Sequence, residues 1–446
     1  MGKLTPPQVL IFSFLCVIVI GTILLTLPLA TADGGRLPLV DSLFTATSAV
    51  CVTGLTVQDT GTIFSRFGKW VIFALFQAGG LGIMTFSTLF AVMLGRKISF
   101  QSSDIIRCTL DKSNILGFKK LVAYILGITL TAELIGALCL FLRWKNTAGW
   151  SVLETAENAV FHAVSGFCNA GFSLFPDSLA RFRSDPVINI TMMLLIFLGG
   201  IGFIVIMDIA GLFFKSAPAK RLNLQSKIVL TVSMLLILAG TSLILVFEWN
   251  NLFKFMSWPQ KVLSAGFQSV TSRTAGFTTI STGKLSVPSL ITVISLMFIG
   301  ASPGSTGGGI KTCTFAVIGA AVYAMFKNKR RTVLFSRSIP RRIIREAFII
   351  FFLAFSWILV FTGLITFSEM SARGGDFIKA FFEVVSAFGT VGLSTGITAG
   401  LNEFSKFCIT VTMFAGRVGP LTLALAVAFK ERKDNYIFPE EDVMVG

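Results

Sequence analysis

The sequence predicts an all-α integral membrane protein with eight transmembrane helices and four pore half-helices, arranged as four repeats in pseudo-fourfold symmetry around one pore. Three observations lead to this fold class. The 446-residue chain is 54% hydrophobic and only 13% charged, whereas soluble domains carry about 25% charged residues. Eight apolar segments are long enough to span a bilayer. Between them, a short motif that ends in Gly recurs four times.

The predicted spans lie at apolar segments that can cross a hydrocarbon layer of about 30 Å. They fall near residues 8–29, 70–94, 120–142, 187–214, 226–248, 288–326, 344–368 and 405–429. Residues 8–29 are too long for a signal-peptide core and follow a single positive charge, Lys3, so we interpret them as a retained first helix. The sixth segment is over-long and interrupted by Gly.

The distribution of charge predicts the orientation. The connections at 95–120, 215–227 and 327–345 carry six, four and eight Lys or Arg residues. By the positive-inside rule this side, with both termini, is cytoplasmic in a multi-pass membrane protein. The net charge of +16 therefore reflects topology, with anionic membrane lipid as a secondary partner and nucleic acid not expected.

The remaining connections contain one repeated unit. Residues 43–55, 160–172 and 381–393 read LFTATSAVCVTGL, VFHAVSGFCNAGF and FFEVVSAFGTVGL, and residues 266–277, GFQSVTSRTAGF, align with one residue missing. Each copy has a Phe, a hydroxyl residue four positions later, and a Gly followed by a bulky apolar residue. The hydroxyl residues are Ser48, Ser165, Thr271 and Ser386.

A second signature follows each copy. It reads GGLG at 79–82, GGIG at 199–202, GASP at 300–303 and GRVG at 416–419. Recurrence of both motifs at matched offsets predicts four units of span, short outer helix, Gly turn and span. We place the units at 1–97, 98–215, 216–330 and 331–446, the last with a short cytoplasmic tail.

The physical chemistry of this unit favours a cation pathway. A short helix that enters the membrane and returns is tolerated only where it is buried in protein or lines a wet cavity. Its C-terminal end carries partial negative charge towards the centre. A Gly turn can then direct successive carbonyl groups to the axis, where four turns would replace the hydration shell of an ion. Close helix packing is the alternative explanation, and we prefer it for the GGxG set.

These motifs resemble those of the KtrB/TrkH/Trk superfamily of potassium-transport membrane subunits, and KtrB subunits in particular. The resemblance covers essentially the whole chain and rests on VCVTGLTVQDTGT at 50–62, NAGFSLFPD at 169–177, RTAGF at 273–277, SAFGTVGLS at 386–394 and GRVGP at 416–420. It implies a selectivity filter with one Gly per repeat. The implied filter residues are Val52, Thr53, Gly54, Asn169, Ala170, Gly171, Thr274, Ala275, Gly276, Thr390, Val391 and Gly392.

The resemblance also implies partners and a transported ion. We expect a homodimer and a cytoplasmic ring of nucleotide-binding regulatory subunits of the RCK type. The ion would be K⁺, with Na⁺ as an alternative or a coupled ion, and the chain would need no cofactor. The only metal would be K⁺ at the filter.

Residues 300–312, GASPGSTGGGIKT, interrupt the sixth span. Five Gly and one Pro disfavour a regular helix, since each Gly costs about 1 kcal/mol and Pro about 3. The stretch falls short of a phosphate-binding loop, because Ile310 precedes Lys311 and no strand leads into it. The resemblance implies an intramembrane gating loop here. The predicted gate residues are Gly300, Ser302, Pro303, Gly304, Gly307, Gly308, Gly309, Lys311 and Arg417.

Arg417 occupies the alignment position of Gly80, Gly200 and Ala301. A charge at that depth is a functional candidate by default. We expect it to form an electrostatic barrier beneath the filter and to pair with a carboxylate, such as Asp208 or Glu133, or with carbonyl groups of the gate loop. We expect His162 to be structural and Glu383, near the outer mouth, to concentrate cations.

The leading functional prediction is a passive or sodium-assisted potassium conductor. A sodium- or proton-coupled symporter is the alternative, although alternating access predicts inverted repeats and intramembrane carboxylates in both halves. Here the repeats run parallel and such carboxylates are sparse. A membrane enzyme is disfavoured by the broken phosphate loop. A scaffold for cytoplasmic subunits would leave the four Gly turns without a purpose.

Overall fold

Four times along the chain, a long apolar helix is followed by a shorter helix, an extended return and another helix. The computed structural model describes residues 6–93, 114–147, 149–213, 222–373, 376–420 and 422–423. The first two repeats contain α1 (Pro6–Thr26), α2 (Leu39–Val50), α3 (Arg66–Met93), α4 (Asn114–Thr147), α5 (Val152–Cys168), α6 (Pro186–Ile201) and α7 (Phe203–Phe213). The last two contain α8 (Leu224–Glu248), α9 (Trp258–Thr271), α10 (Val287–Phe298), α11 (Thr312–Phe326), strands β1 (Val333–Leu334) and β2 (Arg337–Ser338), α12 (Arg341–Arg373), α13 (Phe377–Gly389) and α14 (Glu403–Val418).

The first helix of each repeat is a membrane span by length and composition. Gln8–Thr26, Val122–Asn146, Leu224–Glu248 and Arg341–Met370 each meet this test within the described residues. The other four predicted spans coincide in position with α3, α6–α7, α10–α11 and α14. Of these, the bent pair α6–α7 meets the same test when it is taken as one span, and residues 421 and 424–429 of the eighth span lie outside the described residues. The predicted helical membrane fold is therefore confirmed, with the short β1–β2 hairpin as an addition. The boundaries assigned to the four units stay predictions, and those at 97/98 and 215/216 lie outside the described residues.

Two of the second helices break where single spans were expected. α6 and α7 are bent by 101°, and the residue between them, Gly202, has φ 87°. α14 ends at Val418, before Gly419 with φ 89°. A positive φ leaves the helical region, and Gly adopts it at little cost. The last Gly of the GGxG signature therefore ends the helix in the second and fourth repeats.

The four shorter helices enter the protein from an exposed end and finish in its centre. α5 starts with a capping box in which Ser151 and Glu154 bond each other's backbone, an arrangement that fixes a helix start. Val152 and Leu153 are exposed, whereas the last turns of the helix are fully buried. α5 and α13 both end at a residue in the left-handed conformation.

The packing order closes the four repeats into a ring. We call the four shorter helices, α2, α5, α9 and α13, the pore helices. The helix that follows the pore helix in each repeat contacts the pore helix of the next repeat: α3 packs on α5, α6 on α9 and α10 on α13. α14, in the last repeat, packs on α2 in the first. The first three junctions join consecutive repeats of one chain. The fourth junction joins the last repeat to the first, and no short stretch of chain connects these two.

The first Gly of the GGxG signature sits where helices touch. A Cβ added at Gly79, Gly199 or Gly416 would overlap the carbonyl oxygen of Val50, Phe167 or Phe388, respectively, at the end of a pore helix. Such close approach is typical of small residues at helix interfaces in membranes. In the third repeat, Gly300 instead meets the carbonyl oxygen of Gly308 in the interrupted segment.

We predict that Gly199→Ala destabilises the protein because its methyl group overlaps Phe167. Overpacking of this kind costs about 1–3 kcal/mol, and thermal unfolding in detergent would measure the loss. Gly363→Ala is the matched control, since a Cβ at Gly363 meets nothing within 4 Å. Equal melting temperatures for Gly199→Ala and the parent protein would contradict the close packing.

Candidate functional site

The return segment after each pore helix has an alternating backbone. Two residues with positive φ flank one residue between them in every repeat. The pairs are Val52 (55°) and Gly54 (85°), Asn169 (59°) and Gly171 (69°), Thr274 (79°) and Gly276 (78°), and Thr390 (49°) and Gly392 (89°). This alternation turns successive carbonyl groups towards the same side. All four segments follow the rule, although their side chains differ.

The first positive φ in each pair was missed by sequence reasoning, which looked only for Gly. Left-handed backbone is a genuine outlier for β-branched residues such as Val52, Thr274 and Thr390. Strain of this kind costs of order 1–3 kcal/mol per residue and persists only where the surroundings impose it. Asn169 was the single available signal, because Asn tolerates this region.

The four predicted glycines meet one another through their backbones. A Cβ added at any of them would overlap the carbonyl oxygen that precedes the next Gly in the ring. In cyclic order, Gly54 faces Ala170, Gly171 faces Ala275, Gly276 faces Val391, and Gly392 faces Thr53. The structure thus brings the twelve predicted filter residues into one central cluster, in which Gly171 and Gly392 are partly exposed and the others are buried.

Each return segment is fixed to the pore helix before it through the predicted hydroxyl position. In each repeat, the residue before the ring Gly donates its N–H to the backbone carbonyl oxygen at this hydroxyl position. The four acceptors, in chain order, are Ser48, Ser165, Thr271 and Ser386, and the distances are 2.8, 2.8, 2.9 and 2.8 Å. The Ser48 hydroxyl also accepts the Gly54 N–H at 3.1 Å. A displacement of a pore helix is therefore transmitted directly to the ring.

The interrupted segment between α10 and α11 lies directly against the inner side of this ring. The Gly308 N–H donates to the Thr390 hydroxyl at 2.9 Å, and a Cβ at Gly307 would overlap the Thr274 hydroxyl. On its other side, the N–H groups of Ser302 and Thr306 donate to the carbonyl oxygens of Gly200 and Gly199 at 3.0 and 3.2 Å. The backbone of the segment therefore bonds to the second and fourth repeats and lies against Thr274 of its own repeat.

Arg417 completes the enclosure of the segment. Its side chain is buried, and the guanidinium donates to the Thr306 carbonyl oxygen and, at 2.7 Å, to the Gly79 carbonyl oxygen in the first repeat. Of the two kinds of partner expected for Arg417, the structure has backbone carbonyl groups. Asp208 instead accepts from Ser226, and Glu133 accepts from Gln77 at 3.2 Å.

Lys311 lies at the other end of the segment. Its ammonium group donates to the Gly307 carbonyl oxygen at 2.6 Å. Lys311 therefore bonds the backbone of its own segment, four residues earlier in the chain. Pro303 and Gly304 pack against Gly202, where α6 ends. The nine predicted gate residues thus occupy one continuous region beneath the ring.

Glu383 supports the outer end of the fourth return segment. Its carboxylate is buried and accepts from the hydroxyls of Ser394, Thr395 and Thr398 at 2.7, 3.1 and 2.7 Å, and from the Thr395 N–H at 2.9 Å. These donors satisfy its acceptor sites, which leaves little for a passing cation. The expected role in concentrating cations at the outer mouth therefore has no geometric support.

His162, at the equivalent position in the second repeat, supports the corresponding segment. Its Nδ1 donates to the Asn158 carbonyl oxygen at 2.8 Å, and Nε2 is 3.0 Å from the Ser173 hydroxyl. The ring stacks on Phe175 at 4.5 Å. These contacts agree with the structural role that we expected.

Arg273 is a buried charge that sequence reasoning missed. It occupies the alignment position of Cys51 and Cys168, and its guanidinium donates to the Ser233 carbonyl oxygen at 3.4 Å. The position lay in a predicted outer segment rather than a span. The search for intramembrane charges therefore passed over it.

The closed ring of re-entrant helices and backbone turns defines a pore-loop membrane protein built from four repeats in one chain. Comparison with known proteins identifies its family. The family model of TrkH, described as a cation transport protein, matches residues 5–437. The chain belongs to this family.

Relatives match over the full length. The chain is 39% identical to the Ktr system potassium uptake protein B of Bacillus subtilis, over 100% of this chain and 97% of that protein. It is 36% identical to the potassium/sodium uptake protein NtpJ of Enterococcus hirae, over 100% and 98%. The crystal structure of the potassium transporter TrkH from Vibrio parahaemolyticus has the same fold, with a TM-score of 0.71 at 20% identity, covering 93% of this chain and 84% of that chain.

We predict that Glu383→Gln lowers the thermal stability of the folded protein. The amide presents N–H donors to a site made of donors, and each unpaired buried group costs about 1–3 kcal/mol. Thermal unfolding in detergent would measure this loss, with the exposed Glu403→Gln as the control. A melting temperature as insensitive to Glu383→Gln as to Glu403→Gln would refute the supporting role.

Proposed function

We propose that the chain is the ion-conducting subunit of a potassium uptake system, with the ring at Gly54, Gly171, Gly276 and Gly392 as its selectivity filter. The observation that carries this proposal is the cyclic contact of the four glycine backbones with the preceding carbonyl groups. The names of the Bacillus and Enterococcus relatives, which both specify potassium uptake, support the choice of ion.

The filter would act through backbone groups. Carbonyl oxygens of Thr53, Ala170, Ala275 and Val391 lie in the ring and can replace the water around a dehydrated cation. The pore helices end beside them, and the partial negative charge of a helix C-terminus favours a cation. A backbone filter tolerates different side chains in the four repeats, as found here.

The segment 300–312 would be the gate. It lies beneath the ring and contacts all four repeats, counting the link through Arg417 to Gly79. Ions leaving the filter inward would meet this obstruction and the positive charges of Arg417 and Lys311. Opening requires the segment to leave Thr390 and the α6 carbonyl groups. Its Gly content makes such a rearrangement accessible.

A cytoplasmic ring of RCK-type subunits would control the gate, and two chains would form a homodimer. The support is indirect and comes from the resemblance and from charge. α11 begins directly after the gate segment and leads to the β1–β2 hairpin. Exposed Lys329, Arg330 and Arg331 lie just before β1. A partner bound at this basic surface could displace α11 and thereby the gate.

Sodium coupling is a second candidate, favoured by the name of the Enterococcus relative, which includes sodium uptake. It would make uptake of K⁺ dependent on Na⁺. The alternative of passive conduction predicts uptake without Na⁺. Both fall within transport across the bacterial plasma membrane with cytoplasmic termini, and neither involves an enzymatic reaction.

We predict that the chain, supplied with a regulatory subunit, restores growth of a potassium-uptake-deficient strain at low potassium. Gly392→Ser should abolish rescue, because its side chain overlaps the Thr53 carbonyl oxygen. Gly34→Ser is the matched control, since Gly34 also has a positive φ of 71° but nothing within 4 Å of an added Cβ. Growth would be measured with and without sodium.

Two results would count against the filter. Failure of the parent chain to rescue growth at any sodium concentration would refute potassium uptake. Full rescue by Gly392→Ser, expressed at the parent level, would refute the ring as the conduction path while leaving transport itself intact.

We predict that deletion of residues 303–309 raises ion flux and reduces dependence on the regulatory subunit, because it removes the obstruction below the ring. Flux into proteoliposomes would be measured with and without that subunit. Thr306→Val keeps the loop length but removes the hydroxyl that bonds Phe167 and Gly199, and should raise flux less. Unchanged flux in a folded deletion variant would refute the gate.

A further inference from the structure

The seam between the fourth and first repeats contains a buried ion pair. Lys406, in the first turns of α14, donates from its ammonium group to Asp41 in the first turn of α2 at 2.6 Å. The side chains are only 13% and 7% exposed. The second Asp41 oxygen accepts from the Gln58 amide at 3.0 Å. These three residues, which we call the seam cluster, lie 365 positions apart at their widest.

Comparison of the four seams shows that this charge pair is particular to one of them. Counting back from the GGxG signature, the position of Lys406 corresponds to Lys69, Asn189 and Leu290. The position of Asp41 corresponds to Asn158, Ser264 and Lys379. Among these described positions, opposite charges face each other across a seam only where α14 meets α2.

The other seams have weaker polar contacts near their outer ends. Arg66 and Glu157 pair at 3.3 Å between the first and second repeats, but the Arg66 side chain is 68% exposed. Gln260 donates to Ser184 at 3.0 Å between the second and third repeats, also at an exposed position. Exposed pairs of this kind contribute little, typically below about 1 kcal/mol.

The location of the buried pair matches the one seam without a local peptide connection. Adjacent repeats elsewhere are held by the chain that runs from one to the next. The fourth and first repeats have no such connection, and packing, the bond from Arg417 to the Gly79 carbonyl oxygen and this pair hold them together. Two charges taken out of water are costly, and removal of one partner leaves the other uncompensated. The pair therefore penalises any opening of this seam.

The seam cluster is mechanically connected to the ring. Asp41 and Ser48 belong to the same helix, and Ser48 bonds the N–H groups of both Thr53 and Gly54. Gln58 follows the first return segment and ties its outer end to the same carboxylate. At the centre of this seam, Gly392 meets the Thr53 carbonyl oxygen. A shift of α2 relative to α14 would therefore change this gap.

We propose that Asp41, Lys406 and Gln58 form a clasp that closes the ring at its unlinked seam and so sets ion discrimination through the gap between Gly392 and Thr53. The three are positioning residues and do not contact the ion. The effect on discrimination rests on the proposed filter function. The clasp itself is a statement about ring closure.

The test uses the full-length protein in proteoliposomes, with K⁺ and Na⁺ as the probes. We expect Asp41→Asn and Lys406→Met each to lower the preference for K⁺ over Na⁺, measured as the ratio of their half-saturating concentrations, by about threefold to tenfold, which lies within the lower part of the range of coupling between contacting groups. Gln58→Leu, which keeps the ion pair, should have a smaller effect. Asp41→Lys combined with Lys406→Asp should restore the preference.

Lys69→Met is the matched control, because Lys69 holds the equivalent position at a linked seam. Unchanged preference in folded Asp41→Asn and Lys406→Met variants would overturn the effect on ion discrimination, as would an equal loss in Lys69→Met. A lower melting temperature without a change in preference would support ring closure and would still overturn that effect. Should the single variants fail to fold, Gln58→Leu and the charge-swapped protein decide the outcome.

Failure of the filter proposal would be visible separately. Parent protein that does not discriminate K⁺ from Na⁺ would refute potassium selectivity. The clasp would then be judged on thermal unfolding alone: a lower melting temperature in each single variant that the charge swap restores supports ring closure, and no such change overturns it.

Discussion

The backbones of Gly54, Gly171, Gly276 and Gly392 touch the carbonyl groups of their neighbours, and this contact constrains everything around it. No side chain fits between them. Within each return segment, residues with positive φ must alternate with residues of ordinary negative φ so that successive carbonyl groups face the same way. The pore helices must end at the same depth, because each return segment bonds the last turns of its own helix. The second helices must then approach those ends closely, which explains Gly79, Gly199 and Gly416.

The third repeat breaks the symmetry, and the single chain is what makes this possible. Its aligned motif lacks one residue, and its second helix is divided by the segment 300–312. Its Gly300 packs on that segment instead of on a pore helix. A pore of four identical subunits would have to place such a segment four times around one axis. One chain with four unequal repeats can supply a single segment and let the other repeats hold it, through Thr390, Gly199 and Arg417.

Much of this fold could be predicted from the sequence because its signals are local or repeated. Span lengths, the ring glycines and the interrupted sixth span all follow from composition and recurrence. The positive φ at Val52 and Thr390 could not be predicted, because β-branched residues avoid that region and only contacts with the other repeats impose it. The breaks at Gly202 and Gly419 were also missed, since Gly is common within membrane helices and only its φ marks a break.

The partners of buried charges were the least accessible to sequence reasoning. Arg417 was recognised by its position, but its bonds reach Thr306 and Gly79, which are 111 and 338 residues away. Asp41 and Lys406 each resemble an ordinary charge at the start of a helix. Their pairing follows only from closure of the ring. Long-range contacts of this kind depend on the whole topology, whereas hydrophobic periodicity depends on one segment.

The central claim is that ions pass along the axis of the glycine ring, and heavy-atom crystallography tests it most directly. Crystals of the full chain grown in Rb⁺ would be measured at the rubidium absorption edge. The account predicts anomalous density on the ring axis, level with the carbonyl oxygens of Thr53, Ala170, Ala275 and Val391, and loss of that density in excess K⁺. Ordered Rb⁺ elsewhere in the protein, with none on the axis, would contradict it.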